Sequence, residues 1–116
     1  MTEDYVSFEV AKLLKDKGFN DPFTHMFINK DNVKFDCSSS GVVPKETIAC
    51  PTHQMAMKWL RQEKNIIINV WYNGVDWDAE YYNDEDENFY PITDSSCNSY
   101  EEAVESALKY SLENLI

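Results

Sequence analysis

The chain has 116 residues, the size of one domain, and its hydrophobic content of 43% supplies enough apolar side chains for a packed core. Its formal net charge of −11 lies in the second half, because residues 1–64 hold nine acids and nine Lys or Arg, whereas residues 65–116 hold twelve acids and only Lys109. Phosphate backbones bind through Lys and Arg, so this distribution disfavours a nucleic-acid partner and favours a basic protein.

The sequence also argues against export and membrane insertion. No apolar run approaches the roughly 20 residues of a membrane span, and acids occupy the N-terminus where a signal peptide has basic residues. Cys37, Cys50 and Cys97 are an odd number, which favours reduced thiols over a disulfide framework. We therefore expect a cytoplasmic protein that makes no membrane contact.

The first part of the chain predicts a helix followed by two strands. Ser7 suits the N-cap of the helix, and Gly18 suits the left-handed position that follows its last turn. The segments HMFI and VKFDC read as strands joined through NKDN. Residues 38–50, which begin with a Ser-rich run, are predicted to form a surface loop. One face of the strand pair is expected to hold Met26, Ile28, Val33 and Phe35.

A second helix is predicted to begin after this loop. Thr52 suits its N-cap, and helical spacing places Ala56, Trp59 and Leu60 on the buried stripe. Met57 is predicted to lie off that stripe.

The stretch NIIINVWYNGVDWDAEYYND predicts a β-hairpin. Asn73-Gly74 is the preferred pair for a two-residue type I′ turn, which would pair Val70 with Trp77 and Trp71 with Asp76. The apolar face is predicted to be buried and to include Val75, Trp77, Ala79 and Tyr81. The opposite face holds the candidate interaction residues Trp71, Asp76, Asp78 and Glu80, and the three carboxylates are expected to be exposed. Trp71 is expected to be covered by a helix or by the other hairpin; the alternative is an exposed anchor for a partner.

The chain is predicted to end with an edge strand and a helix. FYPIT reads as a short strand that Pro91 keeps at the edge of a sheet, and SYEE is a capping box in which Ser99 caps and Glu102 reaches back. The sequence thus predicts a single α+β domain over residues 1–116, with the order α-β-β-α-β-β-(β)-α and antiparallel hairpins packed against helices.

Three segments together carry a resemblance: SFEVAKLLKDKGF, PTHQMAMKWLRQEKNI and SYEEAVESALKYSLENLI. They resemble small uncharacterised proteins encoded in gut Bacteroidales genomes and in their phages or mobile elements. The resemblance covers the three helices, about half of the chain, and implies a cytoplasmic accessory protein without an established activity.

A second likeness concerns topology alone. From Thr52 onward, the order α-β-β-β-α is that of double-stranded-RNA-binding domains and of HicB-type antitoxin domains. The former have basic residues at the start of the last helix, where this chain has Glu101, Glu102 and Glu105. An antitoxin-like role is compatible with these acids, because such proteins cover basic toxins.

Two groups of residues are weighed as chemical sites. Cys50-x-x-His53 has metal-like spacing, with His25, Cys37 and Cys97 as conceivable further ligands, but no second paired motif accompanies it. No Gly-rich oxyanion turn or nearby orienting acid supports a cysteine nucleophile either. We therefore predict no zinc site, no catalytic residues and no cofactor.

The three carboxylates of the hairpin form the second group. Asp76, Asp78 and Glu80 alternate along one strand and could hold Mg²⁺ or Ca²⁺ with help from a loop, although a solvated outer face is the commoner arrangement. The leading prediction is a non-enzymatic protein-interaction module with a basic partner. The alternatives are a nucleic-acid mimic that inhibits a basic host defence protein, and a divalent-metal enzyme centred on these three carboxylates.

Overall fold

The computed structural model describes residues 4–21, 24–37, 42–92 and 97–116, which form three helices and two three-stranded antiparallel sheets. This confirms the predicted α+β class and the bracketed strand before the last helix, and it adds one strand. None of these helices is both long and apolar enough to cross a membrane. In chain order the elements are α1 Phe8–Asp16, β1 Met26–Ile28, β2 Lys34–Asp36, β3 Ile48–Ala49, α2 His53–Glu63, β4 Ile67–Tyr72, β5 Trp77–Asn83, β6 Asn88–Pro91 and α3 Tyr100–Asn114.

All three helices begin at the predicted caps. The side-chain oxygens of Ser7, Thr52 and Ser99 each accept a hydrogen bond from the backbone N–H three residues later, at 3.2, 3.2 and 3.1 Å. The predicted left-handed position after α1 is confirmed, because Gly18 has φ +98°. Glu102 does reach back, but its carboxylate accepts from the N–H of Asn98, at 3.3 Å, and not from that of Ser99.

The main core joins the buried stripes of the three helices. Leu14 of α1, Leu60 of α2 and Leu108 of α3 are fully buried in it, together with Ile28 of β1. The prediction for Met57 was wrong, because this side chain is only 7% exposed and belongs to the same core. The buried stripe of α2 is therefore rotated toward Met57.

The first sheet has the order β2-β1-β3 and corrects two expectations. Residues 38–50 are not one surface loop, because Ile48–Ala49 pairs with β1 and Cys50 is buried; residues 38–41 of that range lie outside the described chain. The expected apolar face was also wrong, since Met26 pairs with Asp36 and Ile28 with Lys34.

The loop between β1 and β2 explains this change of face. The backbone N–H of Asn29 donates to the carbonyl of Val33 at 3.0 Å, and the Asn29 side chain accepts from the N–H groups of Asp31 and Val33. The bond between residues 29 and 33 encloses a three-residue loop. A change of one residue in a hairpin loop moves every side chain of one strand to the other face.

The second sheet has the order β4-β5-β6, which confirms Pro91 on an edge strand. Its first hairpin differs from the predicted register by two residues, because Trp71 pairs with Asp78 and Val70 with Ala79. A shift of two preserves the faces, so Val70 and Trp77 lie on the same side as predicted.

The turn of this hairpin lies one residue further along the chain than predicted. Asn73 donates its N–H to the carbonyl of Asp76 at 2.9 Å, and its side-chain oxygen accepts from the N–H groups of Val75 and Asp76. Gly74 therefore occupies the first loop position, with φ +100°. The expected burial of Val75 was wrong, because this loop residue is 80% exposed.

Helix α3 covers the inner face of this sheet. Ala107 of α3 packs with Ala79 of β5 and with Ile92 in a second, smaller core cluster. Ile68 and Val70 of β4 pack against both clusters, so they join the sheet to the main core.

Replacing Gly74 by Val should destabilise the fold by more than about 1 kcal/mol. No heavy atom lies within 4 Å of a Cβ added there, so the cost comes from the positive φ and not from crowding. Urea unfolding measures it, with the exposed replacement Val75→Thr as the matched control, expected within about 0.5 kcal/mol of wild type. Equal stability of the two variants would contradict this turn conformation.

Candidate functional site

The face of the second sheet opposite α3 is the candidate site, and we call it the outer face. Alternation along the strands defines its members, and the pairing of β4, β5 and β6 brings them side by side. Ile67, Trp71 and Phe89 are exposed there, at 40%, 37% and 51% of their surface. The outer face consists of Ile67, Asn69, Trp71, Asp78, Glu80, Tyr82, Phe89 and Pro91.

Three of the four predicted interaction residues lie together on this face. Trp71 lies directly opposite Asp78, and Glu80 is the next outward residue of the same strand. Asp76 differs from the prediction, because it closes the hairpin turn and does not pair with Trp71. All three carboxylates are partly exposed rather than fully exposed.

Two asparagines hold the carboxylates of this face in place. The side-chain amide of Asn73 donates to Oδ2 of Asp78 at 2.6 Å, and that of Asn69 donates to Oε1 of Glu80 at 3.1 Å. Asn69 and Asn73 flank Trp71 of β4, and the two oriented carboxylates lie beside it on β5: Asp78 directly opposite Trp71, and Glu80 diagonal to it. The sequence prediction did not include these asparagines among the site residues. Each is two residues from Trp71 along the chain, and this spacing places both side chains on the same face of the strand as Trp71.

Among the described residues, no basic side chain forms an ion pair with a carboxylate of this sheet. Residues 65–92 contain seven acids and no Lys, Arg or His. Of the ion pairs among the described residues, Lys109–Glu9, His25–Asp36 and His53–Glu105, none includes a carboxylate of residues 65–92. The surface therefore keeps a negative potential that extends over a Debye length of about 8 Å at physiological salt.

The surroundings of these carboxylates do not form a metal site. A metal ion binds carboxylate oxygens, but Asp78 and Glu80 each turn one oxygen toward an amide N–H. Within the four described ranges, no group of three or more His, Cys, Asp or Glu is arranged to hold a metal ion.

Cys50 and His53 do not form one site either. The Cys50 thiol donates to the carbonyl of Val6 at 3.2 Å, whereas His53 Nε2 lies 2.9 Å from Oε1 of Glu105. Burial raises the pKa of Cys50 to about 11. The thiolate, which is the reactive form, is therefore scarce at neutral pH. Cys37 and Cys97 are likewise buried free thiols.

We expect native Cys50 to react slowly with a thiol reagent such as iodoacetamide at pH 8. A pKa of about 11 in place of 9.0 leaves about a hundredfold less thiolate, and burial slows access further. Mass spectrometry of the Cys50 peptide measures the rate, and the same peptide labelled in urea is the control. Labelling as fast in the native protein as in urea would contradict the buried position.

Glu105 is a polar centre that the sequence prediction did not single out. Its Oε1 accepts from the backbone N–H of Ser7 at 2.8 Å and contacts Nε2 of His53, while its Oε2 accepts from the Ser7 hydroxyl at 2.9 Å. One carboxylate thus joins the N-terminal ends of α1 and α2 to the middle of α3. The Ser7 hydroxyl donates to Glu105 and not to His53, so these three residues do not form a nucleophilic triad.

Burial alone would raise the pKa of Glu105, but the hydrogen bonds from His53 and Ser7 outweigh it and lower the pKa below 4.5. A carboxylate whose pKa is lower in the folded state than in the unfolded chain stabilises the fold at any pH above its pKa in the unfolded chain. That stabilisation is lost as the pH falls from about 4.5 through the folded pKa.

Replacing Glu105 by Gln should therefore cost about 1–3 kcal/mol at pH 7 and less at pH 3. The free energies of unfolding of both proteins at the two pH values measure this difference. Glu101→Gln, an exposed change one turn earlier on α3, is the matched control. A cost that does not change with pH would show that the charge of Glu105 contributes nothing.

Comparison with known protein families, curated proteins and solved structures finds none that matches this chain.

Proposed function

We propose that this protein is a small acidic accessory protein that binds a basic partner protein through its outer face and catalyses no reaction. The observation that carries the proposal is the exposed Trp71 beside the oriented carboxylates of Asp78 and Glu80 on the neighbouring strand. The resemblance of the three helices to small Bacteroidales and phage-encoded proteins supports an accessory role in the cytoplasm.

Trp71 has the properties of an interface anchor. Its ring contacts no aromatic ring or cation among the described residues, and 37% of its surface is exposed and thus accessible to a partner. Tryptophan is enriched at residues that dominate binding energy, and it is also the best ring for a cation. Ile67 and Phe89 are also exposed on the outer face, where they lie in one cross-strand row with Tyr82, two rows along the strands from Trp71.

The carboxylates supply selectivity for a basic partner. Asp84 and Asp86, in the turn between β5 and β6, accept hydrogen bonds from the neutral groups of Asn65 and Tyr90, which leaves their charge uncompensated. Together with Asp78 and Glu80 they extend the negative charge along the length of β5, and this charge steers a positively charged protein toward the sheet. Asn69 and Asn73 hold two of the acids in place before binding, which lowers the entropy lost on association.

The groups suited to chemistry are used elsewhere, which favours binding over catalysis. The thiol of Cys50 is buried and bonded to a backbone carbonyl, and His53 and Ser7 are bonded to Glu105. Of the two alternatives, the nucleic-acid mimic is favoured over the metal enzyme. Its requirement is a spread of carboxylates, and the acids of residues 76–87 extend along a strand and a turn without converging.

The test replaces Asp76, Asp78 and Glu80 by Asn, Asn and Gln and compares capture of proteins from host lysate at low and high salt. The control, Asp16→Asn with Asp31→Asn and Glu63→Gln, removes the same charge from exposed positions of the first half. We expect the variant with Asp76, Asp78 and Glu80 replaced to lose the salt-sensitive partner by about tenfold or more, and the control to retain it.

Two outcomes would count against the proposal. Equal capture by the wild type and both variants would remove the outer face from the function. Equal loss in both variants would show that net charge alone attracts the partner. If the captured partner is a nucleic-acid-binding protein that DNA or RNA displaces, the mimic becomes the specific form of this function.

A further inference from the structure

Strand β4 leaves one row of backbone groups without a partner. The bond from the N–H of Asn73 to the carbonyl of Asp76 fixes the phase of the hairpin, so residues 67, 69 and 71 direct their backbone groups toward β5. Ile68, Val70 and Tyr72 direct theirs away from the sheet. Within the described chain, no backbone or side-chain group bonds to the N–H or carbonyl of these three residues.

This edge also lacks the usual protection against strand addition. Edge strands are commonly protected by shortness, charged side chains or proline. Strand β4, IINVWY, has six residues with no charge and no proline. The other edges are protected: β6 ends in Pro91, β2 includes Lys34 and Asp36, and β3 has two residues.

We propose that an extended, arginine-bearing segment of the partner adds to this sheet as a fourth strand, antiparallel to β4. This inference rests on the proposed function and specifies the form of the partner. The added strand would bond to the outward groups of Ile68, Val70 and Tyr72, and every second side chain would lie on the outer face.

The outer face determines which side chains the added strand presents. Adjacent strands of a sheet lie about 4.8 Å apart. An outward residue of the added strand beside Trp71 is therefore one strand spacing from β4 and two strand spacings from Asp78 on β5. An arginine at this place can lay its planar guanidinium on the indole and reach the carboxylate. The residues of the added strand that alternate with the outward ones face α3. Apolar side chains at these positions would pack beside Val70.

A second copy of the chain is the other candidate for this edge, and charge argues against it. Each chain has a net charge of −11, and pairing two β4 strands would place two uncompensated acidic faces in one continuous sheet. A basic segment gains attraction from the same carboxylates, so charge complementarity selects it.

The test uses a blocked peptide of four Arg-Val repeats and two N-methylated forms of it, with identical charge. In antiparallel addition with Arg on the outer face, the Val N–H groups point to β4 and the Arg N–H groups point away. Methylation of the Val nitrogens should weaken binding by about tenfold or more, because it removes several hydrogen bonds. Methylation of the Arg nitrogens should change binding by less than about threefold.

Amide hydrogen exchange provides a second, local readout. Binding of the unmethylated peptide should slow exchange at Ile68, Val70 and Tyr72, whereas Asn69 and Trp71, already bonded to β5, are the internal controls. No binding, equal binding of both methylated peptides, the reverse order, or unchanged exchange at the three outward amides would overturn strand addition. A dimer that the peptide does not dissociate would overturn the choice of occupant.

The Asp78→Asn, Glu80→Gln double variant separates this inference from the proposed function. If the double variant weakens the binding of all three peptides equally, and methylation has no effect, the acidic face binds the peptide by charge alone and strand addition is wrong. If methylation has the expected effect and the double variant binds as the wild type does, strand addition stands and the acidic face is not the selective element.

Discussion

The carboxylate of Glu105 is the contact on which the arrangement of the helices depends. It lies on α3 and bonds both the N-cap of α1 and the first residue of α2, so one side chain fixes the three helices relative to each other. Its bonds to Ser7 and His53 offset the cost of burying the charge. Removing one partner of a part-buried hydrogen bond costs more than the bond itself contributes, because the other group is left unsatisfied.

The position of α3 determines which surface remains free. Because Glu105 holds α3 against the other two helices, the inward residues of this helix are shared between the main core and the inner face of the second sheet. No helix of the described chain covers the other face. Trp71 and Phe89 remain 37% and 51% exposed as a consequence.

The sequence predicted the local features well, because short-range chemistry decides them. Ser7, Thr52 and Ser99 satisfy helix N–H groups wherever the helices pack, and alternation predicted Trp71, Asp78 and Glu80 on one face. The turn was misplaced because Asn73-Gly74 is the preferred pair for the two loop positions themselves. In the structure the side-chain oxygen of Asn73 accepts from the N–H groups of Val75 and Asp76, so Asn73 precedes the loop and Gly74 begins it.

The missed features depend on contacts between distant parts of the chain. A strand of two residues, such as β3, has no detectable period, and it forms because β1 offers an edge. Met57 is buried because packing rotates α2 relative to the stripe that spacing alone indicates. The tie from Glu105 to Ser7 and His53 spans 98 and 52 residues, and nothing in the local sequence distinguishes this acid from Glu101 or Glu102.

The acidic face and the open edge of β4 make physical sense together. An unprotected strand of six uncharged residues is prone to pair with any other strand, including another copy of itself. Carboxylates one strand away, on β5, make such pairing selective, because they repel an acidic or identical chain and attract a basic one. The edge itself can then stay uncharged and form a full set of backbone hydrogen bonds. Moving the charge from the edge strand to its neighbour thus protects against self-association without blocking the surface that a partner would use.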